Sequence, residues 1–406
     1  MPIDPETPDP VVLRAPHLLD GTGAGPVADA ALLIEGGRVA YAGPAAGLPE
    51  GAARAPALDF PEATLLPGLV DAHVHLVASG GPDLATDVPK TEAERTLAAV
   101  VNARRQLEAG VTLVRDLGSP GAEAVLVGRA VEAGTLAGPR VVASGPAVTM
   151  TGGHIPYLGR VTDGVDAMRA AVRANLALGA RCIKVVATGG VLTQGVDPRE
   201  PAYTQPELDA LVDEAHRLGL TVAAHAIGEG GVASALRAGV DSVEHGMFLD
   251  DAAIELFLQT GARLSATFLA PHGILGGPSV PDWIKDRARP AAEAQARSFR
   301  AAVEAGVPAV AGTDAGTPDN PHGEVAREVA FMAGAGLDVL LAVKAATGEA
   351  AALLGAADRG VLRQGAAADV LVAGGDVAGD LTALQRPVAV FQDGRRVVYA
   401  GQTRRL

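Results

Sequence analysis

The most informative segment of this chain is the apolar stretch Gly68-Leu69-Val70-Asp71-Ala72-His73-Val74-His75-Leu76, which contains two histidines. Successive side chains of a strand point to opposite faces, so the imidazoles of His73 and His75 leave the same face and can bind one metal ion. A His-x-His pair alone is more often an ordinary surface or core pair than a metal site. The rest of the chain supplies the context that favours a metal.

Four later residues with metal-binding chemistry end comparable apolar runs. They are Lys184, His225, His245 and Asp314, and glycine or a loop follows soon after each. In a closed parallel barrel the carboxyl ends of the strands meet at one face, so residues far apart in sequence can meet there. The positions of these residues at the ends of successive predicted strands therefore predict a metal centre at the mouth of a β/α barrel. The competing interpretations are that Asp314 caps the following segment and that Lys184 extends from a strand end into solvent.

The middle of the chain, 66–345, alternates apolar runs typical of strands with stretches typical of helices. Eight strand–helix units can be counted, the last strand lying at 308–314. This is the number in a (β/α)8 TIM barrel, which takes about 250 residues. The predicted helices lie at 92–109, 121–134, 165–179, 205–218, 228–238, 250–260, 286–305 and 322–335.

The stretch 269–283 is rich in proline and glycine and contains Trp283, the only tryptophan. It is predicted to be a long loop after strand seven. Such a loop is either a lid that excludes water from the site or simply exposed.

Both ends of the chain are expected to be all-β. Short strand runs separated by turns occupy 11–65, with a hairpin signal at Glu35-Gly36-Gly37. The segment from 358 onward has the same texture, with a second hairpin signal at Asp393-Gly394. We therefore predict an α/β protein of two domains. A small composite β-sandwich domain is built from 1–65 and 346–406, and the (β/α)8 TIM barrel occupies 66–345.

Composition limits the class of protein. The 406 residues can form a barrel with an accessory domain, and the net charge of −14 argues against sequence-independent nucleic-acid binding. A small-molecule substrate is favoured instead. The amino-terminal residues lack a basic region followed by an apolar one, and no stretch approaches the roughly 18 apolar residues of a membrane span. We expect a cytoplasmic homo-oligomer without a membrane partner. Cys182 is the only cysteine, which excludes an intrachain disulfide.

Six motifs resemble those of a known superfamily. They are Leu66-Pro67-Gly68-Leu69-Val70-Asp71-Ala72-His73-Val74-His75, Thr151-Gly152-Gly153-His154, Lys184 with Thr188-Gly189-Gly190, Ala224-His225-Ala226, Glu244-His245-Gly246 and Gly312-Thr313-Asp314. The chain resembles the amidohydrolase superfamily, especially the imidazolonepropionase-like branch that includes metal-dependent dipeptidases. Weaker likeness extends over nearly the whole chain. The resemblance implies a barrel with a composite β-sandwich and a site for one or two divalent ions, usually zinc.

The ligand set comes from this resemblance, position by position. It implies two groups: His73, His75 and Asp314 for a first ion, and His225 and His245 for a second. Carboxylated Lys184, a carbamate formed with carbon dioxide, would bridge both ions. A desolvated lysine with a lowered pKa favours that reaction. The namesake of the branch is commonly described as a one-metal enzyme without this lysine, so Lys184 favours the two-metal, dipeptidase-like members.

The implied reaction is hydrolysis of an amide C–N bond by metal-activated hydroxide. Asp314 is expected to accept a proton on attack and deliver it to the leaving amine. His154 is expected to donate to the substrate carbonyl, with capping of a loop as the alternative. Arg199 and Tyr203 are predicted to bind a substrate carboxylate, and an anchor at the surface is the competing interpretation of Tyr203.

Three whole-function hypotheses follow. The first is a peptidase-like amidohydrolase that acts on dipeptides or N-acyl amino acids. The second keeps the metal chemistry and changes the bond to that of a lactam, cyclic imide, carbamate, triazine or phosphotriester, because fold and metal do not select among them. The third is a non-catalytic scaffold of barrel ancestry, which is disfavoured because every ligand position is filled.

Overall fold

Strands alternate with helices through the middle of the chain, and strands predominate towards both ends. The computed structural model describes residues 7–88, 90–399 and 402–403. The strands are β1 Val11–Leu18, β2 Val27–Glu35, β3 Arg38–Pro44, β4 Ala57–Asp59, β5 Ala63–Pro67, β6 Leu69–Val74, β7 Val111–Asp116, β8 Arg140–Ala143, β9 Ala147–Thr149, β10 Gly159–Val161, β11 Cys182–Val186, β12 Thr221–Ala226, β13 Ser242–His245, β14 Arg263–Ser265, β15 Val370–Gly374, β16 Pro387–Gln392, β17 Arg395–Tyr399 and β18 Gln402–Thr403.

The helices fall mainly between the middle strands. The α-helices are α1 Leu84–Asp87, α2 Glu92–Glu108, α3 Glu123–Glu132, α4 Val165–Leu178, α5 Gln205–Arg217, α6 Glu229–Ala238, α7 Asp251–Thr260, α8 Leu269–Gly276, α9 Asp282–Glu304, α10 Val325–Gly334, α11 Val339–Ala345 and α12 Gly348–Leu353. Short 3-10 helices lie at Ala45–Gly47, Glu50–Arg54, Pro156–Leu158 and Leu381–Gln385.

Local signals in the sequence fix the helix ends. The Thr91 hydroxyl accepts a hydrogen bond from the Glu94 N–H (3.3 Å), and the Glu94 carboxylate accepts one from the Thr91 N–H (2.9 Å). This capping box satisfies two donors that the first turn of α2 leaves unpaired. At the end of α4, Gly179 adopts φ 103°, which glycine tolerates without a side-chain clash. The helices predicted at 92–109 and 165–179 are confirmed, and the other six predicted helices are found with small shifts of their ends.

Two parallel sheets contain the middle strands. One has the order β10-β9-β11-β12-β13-β14, and the other has the order β6-β7-β8. The Arg181 N–H donates to the Ala143 carbonyl at 2.9 Å, which connects the start of β11 with β8. On the other side, isolated bridges join Leu264 to Ala309 and Val74 to Ala315. This α/β arrangement is consistent with the predicted barrel, although the described strands do not form one closed sheet.

The predicted eighth strand at 308–314 is not a regular strand. Pro308 has no N–H for a ladder, and Asp314 adopts φ 57°, in the left-handed region that interrupts extended backbone. Separate hydrogen bonds hold the segment instead, among them Ala72 N–H to the Ala311 carbonyl (2.9 Å). The segment still lies between β14 and β6, which places Asp314 beside the carboxyl end of β6.

Strands from both ends of the chain form one nine-stranded sheet. Its order is β18-β17-β16-β15-β5-β1-β2-β3, with β4 paired to β1. The central strand β5 is antiparallel to β15 and parallel to β1, so it joins amino-terminal to carboxyl-terminal strands. The ladder is continuous, and it does not by itself establish the two separate sheets of a sandwich. Residues 1–6, 400–401 and 404–406 of the predicted composite domain lie outside the described residues.

The predicted loop at 269–283 is largely helical, so that prediction was wrong. Pro271 lies in the first turn of α8, where an N–H would have no partner within the helix. The buried carboxyl group of Glu328 accepts hydrogen bonds from the N–H groups of Phe268 and Leu269 at 2.8 and 2.9 Å. Ile274 of α8 packs with Ile284 of α9 in a separate apolar cluster. We call this pair of helices the α8–α9 hairpin.

Candidate metal centre

His73, His75 and Asp314 come together where β6 and the segment 308–315 end. The distance from His73 Nε2 to Asp314 Oδ1 is 3.3 Å, and that from His75 Nε2 to the same oxygen is 3.1 Å. The three side chains are buried, and their ligand atoms lie within 4.8 Å of one another. The alternation of side chains in β6 and the return of the chain at 308–315 therefore build a group that can hold a metal ion.

The proton positions on these rings support that interpretation. His73 Nδ1 lies 3.0 Å from Glu244 Oε2, and His75 Nδ1 lies 3.2 Å from the carbonyl oxygen of Gly118. Because these oxygens only accept, each Nδ1 carries a proton, and a neutral ring then directs its Nε2 lone pair at the Asp314 carboxylate. Burial and the Lys184 charge hold the pKa of His73 well below its usual value. Lone pairs facing a carboxylate repel it unless a cation lies among them, so these donors fit a divalent ion.

An ion pair behind His73 fixes the orientation of its ring. The Arg115 guanidinium donates from Nη2 to Glu244 Oε1 at 2.8 Å and from Nε to the Ala72 carbonyl at 2.7 Å. Ser242 Oγ donates to the same Glu244 oxygen at 2.6 Å. Burial acts to raise the pKa of Glu244, but the charges of Arg115 and Lys184 outweigh it and lower this pKa. A carboxylate behind a histidine ligand sets its tautomer and raises its basicity.

Sequence reasoning did not assign a role to Arg115 or Glu244. The available signal is a charged residue inside an apolar strand, since both side chains are almost completely buried. Burial of a charge is costly unless it is paired with an opposite charge. A buried arginine and a buried glutamate in the sequence are therefore candidates for an ion pair.

His225 and His245 form a second group next to the first. Their ring centroids are 4.6 Å apart, and the His245 ring lies 5.5 Å from that of His73. His225 Nε2 lies 2.8 Å from the Gly189 carbonyl oxygen, which leaves Nδ1 for an ion. His245 Nδ1 lies 2.7 Å from Thr267 Oγ1, which leaves Nε2. Burial lowers the pKa of His225 to about 3, so its ring is neutral, as a ligand must be.

Lys184 lies inside the same cavity. Its side chain is 1% exposed, and Nζ has no hydrogen-bond partner. It therefore does not extend from the strand end into solvent. Burial lowers the pKa of Lys184 from 10.5 to about 8, which makes the neutral amine accessible near physiological pH.

Backbone strain is concentrated in the same place. His245, Thr267 and Asp314 adopt φ values of 78°, 58° and 57°, which residues with a side chain rarely adopt. Such conformations cost on the order of 1–3 kcal/mol each and persist where the surrounding structure enforces them. Here the side chains of His245 and Asp314 line one cavity, and Thr267 Oγ1 contacts the His245 ring.

His154 is the one predicted substrate-contacting residue that lines the cavity. Its ring lies 4.9 Å from that of His225, and its Nδ1 lies 2.9 Å from Thr193 Oγ1. Gly190 is required beside it, because a Cβ there would lie 2.2 Å from His154 Nε2. Burial, together with the positive charge of Lys184, holds the pKa of His154 well below its usual value, so the ring is neutral.

The structure does not bring Arg199 and Tyr203 to this cavity. The Tyr203 hydroxyl donates to the Thr162 carbonyl at 3.2 Å. Arg199 donates to Glu229 at 2.8 Å and lies over the Phe248 ring at 4.8 Å. Neither side chain lines the cavity, so their binding of a substrate carboxylate stays a prediction.

The cavity holds about 610 Å³ of empty volume, part of it open to solvent. One wall carries the polar residues His73, His75, His154, Lys184, His225, His245 and Asp314. The remaining wall comes largely from apolar residues, several of them on the α8–α9 hairpin. The site is thus a polar, histidine-rich surface facing an apolar one.

Comparison with known proteins identifies the family. Residues 64–398 match the model of the amidohydrolase family, and the chain therefore belongs to that family. It is 32% identical to the ochratoxinase of Aspergillus niger over 417 aligned positions, covering 93% of this chain and 84% of that protein. It is also 27% identical to the imidazolonepropionase of Salinispora tropica, covering 86% of this chain and 88% of that protein.

Solved structures give the same family. The crystal structure of a Xaa-Pro dipeptidase with bound methionine has a TM-score of 0.88 and 30% identity, covering 95% of this chain and 99% of that one. The crystal structure of the A. niger ochratoxinase has a TM-score of 0.88 and 28% identity, covering 98% and 97%. With the family match, these relatives make the protein a hydrolase that acts on carbon–nitrogen bonds. Among the described residues, no helix is long and apolar enough to cross a membrane.

Proposed function

We propose that this protein is a metal-dependent amidohydrolase that hydrolyses the amide C–N bond of a dipeptide or an N-acyl amino acid. One observation carries the proposal: His73 and His75 direct their Nε2 atoms at the Asp314 carboxylate inside a cavity. The likeness to a Xaa-Pro dipeptidase and to an ochratoxinase supports hydrolysis of an amide bond. The choice of a dipeptide or an N-acyl amino acid as the substrate is our proposal.

Two divalent ions are proposed, and zinc suits the mixture of imidazole and carboxylate ligands. The residues that would hold them are His73, His75 and Asp314 for one ion, and His225 and His245 for the other. Lys184, carboxylated on Nζ, would bridge the two, and its buried, unpartnered amine with a pKa of about 8 supports that modification. When bound, such ions lower the pKa of a water molecule and polarise the substrate carbonyl.

Asp314 and His154 are the proposed catalytic residues. The pKa of Asp314 is lowered, although its burial opposes the shift. The ionised carboxylate can therefore accept the proton of the attacking water. It then delivers that proton to the amine that leaves. The neutral His154 ring lines the same cavity and can donate from Nε2 to the carbonyl oxygen as negative charge develops there.

The fold around the site is proposed to be a complete TIM barrel. Its eight strands would be β6, β7, β8 with β9, β11, β12, β13, β14 and the segment 308–315. The bridges at Ala309 and Ala315 and the Arg181 to Ala143 hydrogen bond support closure on both sides. We place the barrel at 66–345.

The terminal sheet, from 1–65 and 346–406, is proposed to fold over itself as a β-sandwich. Val11 of β1 and Val370 of β15 share one apolar cluster, which supports a common core. The two hairpins also meet: the Ala368 N–H donates to the Gly37 carbonyl at 3.0 Å, and the Gly394 N–H donates to the Ala368 carbonyl at 2.9 Å.

A substrate panel tests the proposed reaction. Zinc-loaded protein would be assayed against dipeptides and N-acyl amino acids, with esters, lactams, carbamates and phosphotriesters of similar size for comparison. We expect the amides to be hydrolysed and the purified protein to retain about two ions per chain by elemental analysis. Turnover confined to the other bond classes, or no more than trace metal after loading, would contradict the proposal.

The lysine adduct has its own readout. Protein equilibrated with carbon-13 bicarbonate is expected to show a carbamate resonance that is absent from the Lys184→Met variant. An identical spectrum for both proteins would remove carboxylated Lys184 from the site.

A further inference from the structure

The wall that faces the metal centre is almost entirely apolar. It contains Leu84 of α1, Ile155 and Leu192 from loops, Met247 after β13, and Ile274 of α8. Outside the metal centre and His154, the described lining includes one polar side chain, Thr317. That hydroxyl already donates to the Asp314 carbonyl at 2.7 Å and accepts from Asn320 at 3.2 Å. A substrate therefore meets few polar partners away from the metal centre.

The nearby cations have other partners. Arg287 of α9 donates to the Gly190 and Val191 carbonyls at 3.0 and 3.3 Å, which holds the loop after β11 against the hairpin. Arg199 is paired with Glu229. An anionic group on the apolar wall would lose hydration without gaining a counter-ion there, which disfavours it.

The α8–α9 hairpin limits the size of this space. Ala288 and Ala291 lie three residues apart on α9, so they project from one face of the helix, and both line the cavity. Ala288 belongs to the apolar cluster of Ile274, and Ala291 belongs to that of Met247. Two alanines at the points where the hairpin faces the metal centre leave room that larger side chains would fill.

We infer that the substrate presents a bulky, uncharged apolar group to this wall, with Ala288 and Ala291 determining its size. The inference rests on the proposed amide hydrolysis and narrows it. An N-acyl amino acid with a large apolar side chain is a substrate, and its free carboxylate contributes little to recognition. Burial of apolar area supplies the selectivity instead.

A matched substrate set tests the chemical class. N-benzoyl derivatives of phenylalanine, phenylalaninamide, glycine and glycinamide vary size and charge independently. We expect kcat/KM for the phenylalanine pair to exceed that for the glycine pair by about tenfold or more, and the free acid and carboxamide to agree within about threefold. Equal kcat/KM for the phenylalanine and glycine pairs, a preference for the glycine pair, or a preference of about tenfold for the free acids would overturn the inference.

Variants of the hairpin test the assigned residues. Ala288→Leu and Ala291→Leu should lower the ratio of kcat/KM for the phenylalanine pair to kcat/KM for the glycine pair by about tenfold. Ala296→Leu is the matched control, because this alanine is exposed on the same helix. Retained metal content and melting temperature show that the variants fold. If both substrate pairs change by the same factor, or neither changes, Ala288 and Ala291 do not determine size.

Failure of the reaction is distinguishable from failure of the inference. If no amide is hydrolysed, the proposed function is wrong, and calorimetric titration with uncleaved N-benzoyl-phenylalaninamide still decides the inference. Saturable binding that is weakened by Ala291→Leu and kept by Ala296→Leu supports an apolar subsite. The absence of saturable binding overturns it.

Discussion

Single side chains define the proposed metal centre through the direction of their nitrogens. His73 and His75 point Nε2 at Asp314, since their Nδ1 atoms are held by Glu244 and by the Gly118 carbonyl. His225 instead uses Nε2 to contact the Gly189 carbonyl. Which nitrogen remains for an ion is thus set by a neighbouring oxygen, and a change to that oxygen should be felt at the ion.

Asp314→Asn is expected to reduce kcat by about 10²–10⁴-fold, because the amide keeps the shape of the carboxylate but can neither carry its charge nor accept the proton. Steady-state kinetics on the best substrate, with elemental analysis of bound metal, checks this. Asp319→Asn is the control, because Asp319 is exposed and has a similar φ of 51°. Near-normal activity of Asp314→Asn would exclude Asp314 as the base.

Glu244→Gln should weaken zinc affinity by about 10–100-fold, because a carboxamide no longer enforces the Nδ1–H tautomer of His73. Competition with a chromophoric chelator measures the affinity. The variant also leaves the buried Arg115 partly unpaired, which is expected to cost on the order of 3–5 kcal/mol of stability. Ser242→Ala removes one hydrogen bond to Glu244 but leaves the Glu244 charge in place, so it should change the zinc affinity much less. Equal effects of the two variants would argue against tautomer control.

At the scale of elements, α8 shows how a distant side chain decides secondary structure. Proline and glycine in 269–283 favour a loop locally, yet Glu328 of α10 accepts from two N–H groups at the start of α8. This contact makes up for the weak helix propensity of the segment. The hairpin that closes one side of the cavity therefore depends on a buried carboxyl group.

The stability contributed by Glu328 should fall as pH rises. Burial raises its pKa from 4.5 to about 8, although the two N–H donors oppose that shift. Between these values the unfolded chain has lost the proton while the folded protein keeps it, so the contribution is full below about pH 4.5 and lost by about pH 8. Glutamine does not titrate, so the difference in unfolding free energy between wild type and Glu328→Gln should shrink over this range.

Urea unfolding of metal-free protein at pH 5, 6.5 and 8 measures that difference. We expect a decrease on the order of a few kcal/mol across this range. Glu304→Gln, at an exposed position near the end of α9, should show no such trend. A difference that stays constant with pH would mean that Glu328 is ionised in the folded protein.

Across the whole molecule, the proposed ligands come from distant elements. His73 lies on β6, Lys184 on β11, His225 on β12 and His245 on β13, while Asp314 ends the segment between β14 and β6. An ion bound by several of them connects the two parallel sheets. Because the unfolded chain cannot hold these residues together, ion binding should stabilise the folded state as a whole.

Removal of metal should lower the melting temperature. At a free zinc concentration about 100 times the dissociation constant, binding adds about 2.7 kcal/mol per site, and chelation removes it. Differential scanning calorimetry of chelated and zinc-loaded protein checks this. The Asp314→Asn variant should respond less to zinc. A melting temperature that is unchanged despite confirmed zinc binding would mean that the ion does not distinguish folded from unfolded protein.

The sequence alone determined the features that depend on neighbours in the chain. Strand alternation puts His73 and His75 on one face, and caps and glycines locate helices such as α2 and α4 to within a residue or two. Family motifs named Asp314, and the structure brings it to both histidines. These are short-range signals, because side-chain period and turn chemistry act within a few residues.

The remaining features depend on contacts between segments that are distant in the chain. The tertiary structure made α8 a helix through Glu328, placed Arg115 and Glu244 behind His73, and kept Tyr203 away from the cavity. It also replaced the regular eighth strand with a segment held by bridges. Each of these features depends on a contact between residues that are distant in sequence, and packing of the core determines which of these residues are in contact. Burial strengthens such contacts, whereas local propensity is weak. The contacts formed on folding therefore determine these features, and no short segment of the sequence predicts them.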